Sequence, residues 1–158
     1  MLTQKETSLL NELKTEEQMS IEKYQKASSC ASSPVLQALF QQIGEREQQH
    51  LNTINQIING TVPPANSSNN SNSSSNSTQQ PQNFAQPANY ENTKNKQSDS
   101  YLCYDTLASE KFISSTYETS GFEFTEDDIR ATLMKIQAEE HEHGKLIYDY
   151  MEQNGMYN

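Results

Sequence analysis

The chain has no tryptophan, two cysteines, and only five each of glycine and proline in 158 residues. Basic residues are scarce as well: 11 Lys and Arg stand against 21 Asp and Glu, a formal net charge of -10. Each shortage excludes something. Two cysteines, Cys30 and Cys103, can make neither a disulfide framework nor a Cys-x-x-Cys pair. Their expected state is two free thiols in a reducing compartment, with pairing open in an oxidising one. The acidic excess argues against nucleic acid and anionic membrane surfaces as partners. No run approaches the ~18 apolar residues of a membrane span. Residues 1–6 lack the apolar stretch of a secretory signal, so synthesis in the cytoplasm is the expectation.

Apolar residues are also few, at 32% of the chain, an average too low for a good core. The polarity is concentrated, however. Residues 59–98 hold 10 Asn, 8 Ser, 5 Gln, 4 Pro and 3 Thr. Such a segment cannot bury enough surface to offset its ordering entropy, and it reads as a disordered linker. What remains is two blocks, 1–58 and 99–158, which carry nearly all the apolar and charged residues.

Each block reads as a helical hairpin. Leu10, Leu13, Glu17, Ile21, Tyr24 and Ala27 recur at the three-to-four-residue spacing of one helix face. The SSCASSP stretch (28–34) breaks that helix, and its Pro34 suits the first turn of the next. A second stripe runs through Leu36, Leu39, Phe40, Ile43, Glu47, His50, Leu51, Ile54 and Ile57, before Gly60 and the Pro63–Pro64 pair. In the other block, Leu102, Thr106, Glu110, Ile113 and Tyr117 mark a helix that Gly121 ends. Thr125, followed by three acidic residues, reads as the cap of the last helix. Its stripe is Ile129, Leu133, Ile136, Glu140, His143, Ile147, Tyr150 and Met151, with Gly155 beyond.

The two blocks align without a gap at an offset of 93 residues. Glu17 falls on Glu110, Tyr24 on Tyr117, Ile43 on Ile136, Glu47 on Glu140 and His50 on His143. Each block thus supplies one Glu on its first helix and Glu-x-x-His on its second, where positions i and i+3 share a face. If Glu17 lies level with Glu47 and His50 in an antiparallel hairpin, the turn falls within SSCASSP. The same rule for Glu110, Glu140 and His143 puts a turn just before the last helix. These six residues sit in apolar stripes that contain no Lys or Arg, and a buried carboxylate must be neutralised, paired or metal-bound. Four Glu and two His in a bundle core are the ligand set of a dinuclear carboxylate centre. Oxygen and imidazole donors without thiolates suit iron or manganese better than structural zinc. One Glu-x-x-His in an acid-rich chain carries little weight; two copies with matching partners carry much more. The plain alternative is an empty site kept as a polar core network. Tyr24 and Tyr117 read as donors to the ligand carboxylates or as core aromatics. His141, Glu139 and Glu142 read as a solvated face.

The paired pattern Glu17…Glu47-x-x-His50 and Glu110…Glu140-x-x-His143 resembles the ferritin-like superfamily, including rubrerythrin-type di-iron bundles. Segments 2–24, 46–60, 99–118 and 139–157 more closely resemble the spore coat protein F family of spore-forming Firmicutes. The resemblance covers both helical blocks and not the Asn/Ser segment. It implies an all-α, ferritin-like four-helix bundle made of two hairpins joined by a long disordered crossover. It further implies a structural coat protein, made in the mother cell and laid on the forespore. The expected partners are other spore coat proteins and further copies of the chain. The amide-rich segment and eight tyrosines, among them Tyr101, Tyr104, Tyr148, Tyr150 and Tyr157, suit assembly or cross-linking. The alternative is a di-iron or di-manganese oxidase or peroxide scavenger of the rubrerythrin or manganese catalase type.

Overall fold

Helix starts are set by caps that the sequence carries. The computed structural model describes residues 1–63, 84 and 87–157, and every regular element among them is a helix. Helix α1 (Gln4–Cys30) begins at a reciprocal capping box: the Glu6 amide donates to the Thr3 hydroxyl and the Thr3 amide to the Glu6 carboxylate. Helix α2 (Pro34–Ile58) has Ser33 as cap and Pro34 in its first turn. Helix α3 (Thr93–Gly121) is capped by Asn92, which accepts from the Asn95 amide. It therefore starts six residues inside the segment read as linker, because a polar first turn needs a cap and solvent rather than an apolar face. Most of that segment lies outside the described residues. Helix α4 (Asp127–Gln153) starts two residues after Thr125, and no side chain caps it. Gly60 and Gly155, at φ of 82° and 58°, take the left-handed turns that close α2 and α4.

The bundle is two antiparallel hairpins docked side by side. α1 packs chiefly on α2 and α3 chiefly on α4, with α1–α3 and α2–α4 seams between hairpins. Both seams are antiparallel: Lys23 meets Asp105 and Ser109, Tyr24 meets Glu110, and Tyr117 meets Glu17. α2 therefore ends, and α3 begins, at opposite ends of the bundle.

The core is divided into two apolar clusters, one near each end. The cluster by the α1–α2 turn includes Ala27, Leu36, Phe40, Cys103, Ile147 and Met151. The cluster by the α3–α4 turn includes Leu10, Leu13, Ile54, Tyr117, Phe124 and Leu133. Each buried aliphatic side chain contributes about 1.5–3 kcal/mol. Together the clusters clamp the four helices above and below a polar layer at mid-height. Cys30 is exposed and Cys103 buried, both as free thiols; burial, then the nearby Asp99, raises the Cys103 thiol to about 12. Tyr150 is fully buried, as its place in the apolar stripe of the last helix predicts, and its hydroxyl lies 2.6 Å from that of Tyr90, which takes it out of the set open to cross-linking. Phe84, Ala88 and Tyr90 pack on the same cluster, so this stretch before α3 adds apolar cover.

Two buried carboxylates fix how the hairpins dock. Glu6 on α1 reaches the turn before α4, accepting from the Thr125 amide at 2.9 Å and its hydroxyl at 3.0 Å. Thr125 is thus drawn away from the capping role its position suggests. Asp99 on α3 does the reciprocal thing, accepting from the Ser32 and Ser33 amides at 2.7 and 2.9 Å in the α1–α2 turn. Asp99 lies 93 residues after Glu6, and Thr125 lies 93 after Ser32.

The Thr3 and Thr125 amides hold the Glu6 carboxyl down at about 2. Its stabilising contribution is present above the ordinary value of 4.5 and disappears as pH falls toward 2. Glu6→Ala is expected to cost about 1 kcal/mol at pH 7, the scale of a lost helix cap. That deficit should shrink steadily in thermal melts taken down to pH 2.

Candidate metal centre

The i, i+3 spacing on α2 and α4 aims Glu47 with His50, and Glu140 with His143, into the layer between the apolar clusters. Glu17 on α1 and Glu110 on α3 enter from the facing side. All six are buried, and none exposes more than 5% of its surface. The His50 Nδ1 atom lies 3.0 Å from Glu140, 3.7 Å from Glu47 and 3.9 Å from Glu17. The His143 Nδ1 atom lies 2.9 Å from Glu47, 3.2 Å from Glu140 and 3.8 Å from Glu110. The two rings stack with centroids 5.6 Å apart. The donor atoms divide into two groups, Glu17, Glu47, His50 and Glu140, and Glu47, Glu110, Glu140 and His143. Within each, the candidate ligand atoms lie within 4.8 Å of one another. Glu47 and Glu140 belong to both.

These atoms are close without being satisfied. Both carboxylate oxygens of Glu47, one each of Glu17, Glu110 and Glu140, and Nδ1 of His50 are buried with no aligned hydrogen bond. Such orphaned atoms cost about 1–3 kcal/mol each, and more when charged. A cation placed among them would remove that cost. The donor set therefore fits a metal ion, with oxygen and imidazole ligands of the kind iron and manganese take.

Without metal, protons do the neutralising. Burial pushes the Glu17 carboxyl well above its ordinary value and Glu110 up to about 8. Burial also acts on Glu47, but the hydrogen-bonding distance to His143 and His50 outweighs it and holds that carboxyl down. Glu140 is likewise held down, with burial again overcome by His143 and His50. Burial opposes charge on the imidazoles, yet Glu139 raises His50 well above its usual value. Glu110, Glu140 and Glu47 raise His143 to about 11. The raised carboxyls of Glu17 and Glu110, the lowered ones of Glu47 and Glu140 and the raised imidazoles thus shift in directions that offset charge within the layer.

Tyr24 donates to Glu110, and Tyr117 donates to Glu17. Each tyrosine crosses from one hairpin to the carboxylate of the other, fixing Glu oxygens that would otherwise rotate. One participant was not picked out in the sequence pattern. Glu139 is half-buried, and its carboxylate lies 2.7 Å from Nε2 of His50. It was expected on the solvated face. Its four-residue spacing from His143 was a usable signal, masked by the acidic run around it. His141 is exposed and outside the cluster.

Residues 98–158, which span α3 from its sixth residue, α4 and the C-terminal residues, match the family model of the Coat F domain. No curated protein and no solved structure matches the chain. Among the described residues, no helix is long and apolar enough to cross a membrane.

The raised Glu110 carboxyl has a consequence for the metal-free protein. A folded value of about 8 against the usual 4.5 means the folded state holds a proton that the unfolded state has released. Stability from this group is full below 4.5 and falls as pH rises to about 8. Metal-free protein should therefore melt at a lower temperature at pH 8 than at pH 5.5. Glu110→Gln should flatten that slope, because an amide needs no proton to be neutral. Melts of the two proteins across this range measure it.

Proposed function

We propose, from the match of residues 98–158 to the Coat F domain model, that the protein is a structural component of the endospore coat with a dinuclear metal centre. The observation that supports the metal is the buried layer of orphaned carboxylate and imidazole atoms drawn from all four helices. Glu17, Glu47, His50 and Glu140 would hold one cation and Glu47, Glu110, Glu140 and His143 the other. A bound pair of iron or manganese ions would neutralise the four carboxylates and, being redox-active, would offer electron transfer at that point. The chain's own residues prepare the place: Tyr24 and Tyr117 hold Glu110 and Glu17, and the apolar clusters exclude water from either end. Because every helix supplies a ligand, bound metal would pin the bundle. That suits a wall component better than a mobile one.

Exposed aromatics support assembly as the role. Tyr101, Phe112 and Phe122 present 64–74% of their surface to solvent. Tyr157 stacks on Tyr104 and meets Tyr148 edge-on, with ring centroids at 6.1 and 4.8 Å. The partners in this reading are other coat proteins and further copies of the chain, with neither nucleic acid nor membrane. The mother-cell cytoplasm is the place of synthesis and the coat the destination. A ferritin-like ancestry accounts for the ligand pattern and the long crossover together.

A second reading, a peroxide-consuming or oxidase enzyme, draws on the grooves that reach Glu110 and His143 from outside. Metal-loaded protein that leaves hydrogen peroxide unconsumed would remove it.

The metal reading is tested on protein purified from sporulating cells. About two iron or manganese ions per chain are expected by elemental analysis, together with a higher Tm than the metal-free form. The double variant Glu47→Ala, Glu140→Ala should hold none. Absence of metal after reconstitution rejects the centre. Absence of the protein from purified coats rejects the coat role.

A further inference from the structure

The two halves of the centre differ in surroundings, and we infer that they hold cations unequally. The position made by Glu17, Glu47, His50 and Glu140 retains its ion, whereas that made by Glu47, Glu110, Glu140 and His143 exchanges its ion with solvent. This rests on the metal reading above and adds a division of labour to it.

The first observation lies behind the histidines. Glu139 stands 2.7 Å from Nε2 of His50. A carboxylate there accepts the Nε2 proton, which fixes the ring, leaves Nδ1 as the donor toward the cluster and makes it more basic. The residue 93 positions earlier, at the matching place behind His143, is Arg46. It is exposed and hydrogen-bonds to Gln49. A guanidinium has no acceptor and cannot take the Nε2 proton of His143. One histidine is therefore oriented by a carboxylate and the other lacks that support, a difference worth about 10- to 100-fold in metal affinity.

The second observation is independent and concerns access. Leu51 is buried, and 93 residues later stands Gly144. A methyl group at Gly144 would meet only Leu107 and Glu110, at the ordinary contact distances of 3.6 and 3.8 Å. The space left open is a groove of about 380 Å³ lined by Glu110, Ser114, Glu140 and Gly144. A smaller opening of about 190 Å³, between α2 and α4, is lined by Arg46, Glu139 and His143. Glu17 and His50 line neither. The groove of about 410 Å³ on the first hairpin, around Ile21, Phe40 and Gly44, touches none of the six ligand residues. The openings of about 380 and 190 Å³ thus reach Glu110 and His143, in the half that lacks the supporting carboxylate.

Metal-free full-length protein titrated with Mn²⁺ in a calorimeter is expected to show two steps about tenfold or more apart in Kd. A brief EDTA wash of loaded protein should remove one ion per chain and leave the other. Glu139→Gln should weaken the tight step about tenfold and spare the weak one. Arg46→Glu, which puts a carboxylate behind His143, should tighten the weak step. Gly144→Leu should slow release of the exchangeable ion. The first two changes are at half-buried or exposed positions, so they carry the test even if Gly144→Leu does not fold by circular dichroism. Two indistinguishable steps, or a Glu139→Gln variant that loses the weak step instead, would overturn the inference and leave the metal reading standing. No Mn²⁺ uptake by the unaltered chain would overturn both.

Discussion

Four glutamates enclosed in one layer are the constraint on which this bundle depends. Each charge costs several kcal/mol to bury unless something opposite neutralises it. Neither hairpin contains the remedy alone. The hydroxyl that holds Glu17 comes from Tyr117 and the one that holds Glu110 from Tyr24. The imidazoles approach carboxylates of the opposite hairpin as closely as their own. Docking of the hairpins and neutralisation of the layer are therefore one event. With protons alone the layer leaves lone pairs unused; with cations those same lone pairs would become ligands.

The apolar clusters and the terminal carboxylates serve this layer in different ways. Leucine, isoleucine and phenylalanine above and below it supply the non-directional energy that brings helices together. Glu6 and Asp99 supply direction, since each accepts a backbone amide from the turn of the opposite hairpin. Their reach helps two short turns hold fixed positions at opposite ends of a long bundle. Tyr90, bonded to Asp99, extends the same network into the chain ahead of α3.

What was legible beforehand follows from what periodicity encodes. Glu47, His50, Glu140 and His143 were readable because i, i+3 spacing is local and because the pattern recurs at a fixed offset. The helices themselves were readable from stripes, Ser33–Pro34 and the glycines. Contacts that depend on how two hairpins meet were not. Glu139 resembled its solvated neighbours, since only the α2–α4 seam brings it to His50. Thr125 looked like a cap, because nothing local reveals that Glu6 will claim it. The early start of α3 at Thr93 was hidden for another reason: its first turn rests on the Asn92 cap and carries no apolar stripe. The unequal surroundings of the two histidines became visible only when Arg46 and Glu139 were seen at matching places.

The pairing of Tyr24 with Glu110 and Tyr117 with Glu17 carries one more implication. The two bonds are separated along α1 by seven residues, about 10 Å of helix rise, and they run in opposite senses between the hairpins. A slip of one hairpin along the other would stretch both at once, and no slide in either direction could relieve one at the other's expense. The pair works as a vernier: two offset marks that coincide at a single setting and so measure the bundle's alignment from its interior.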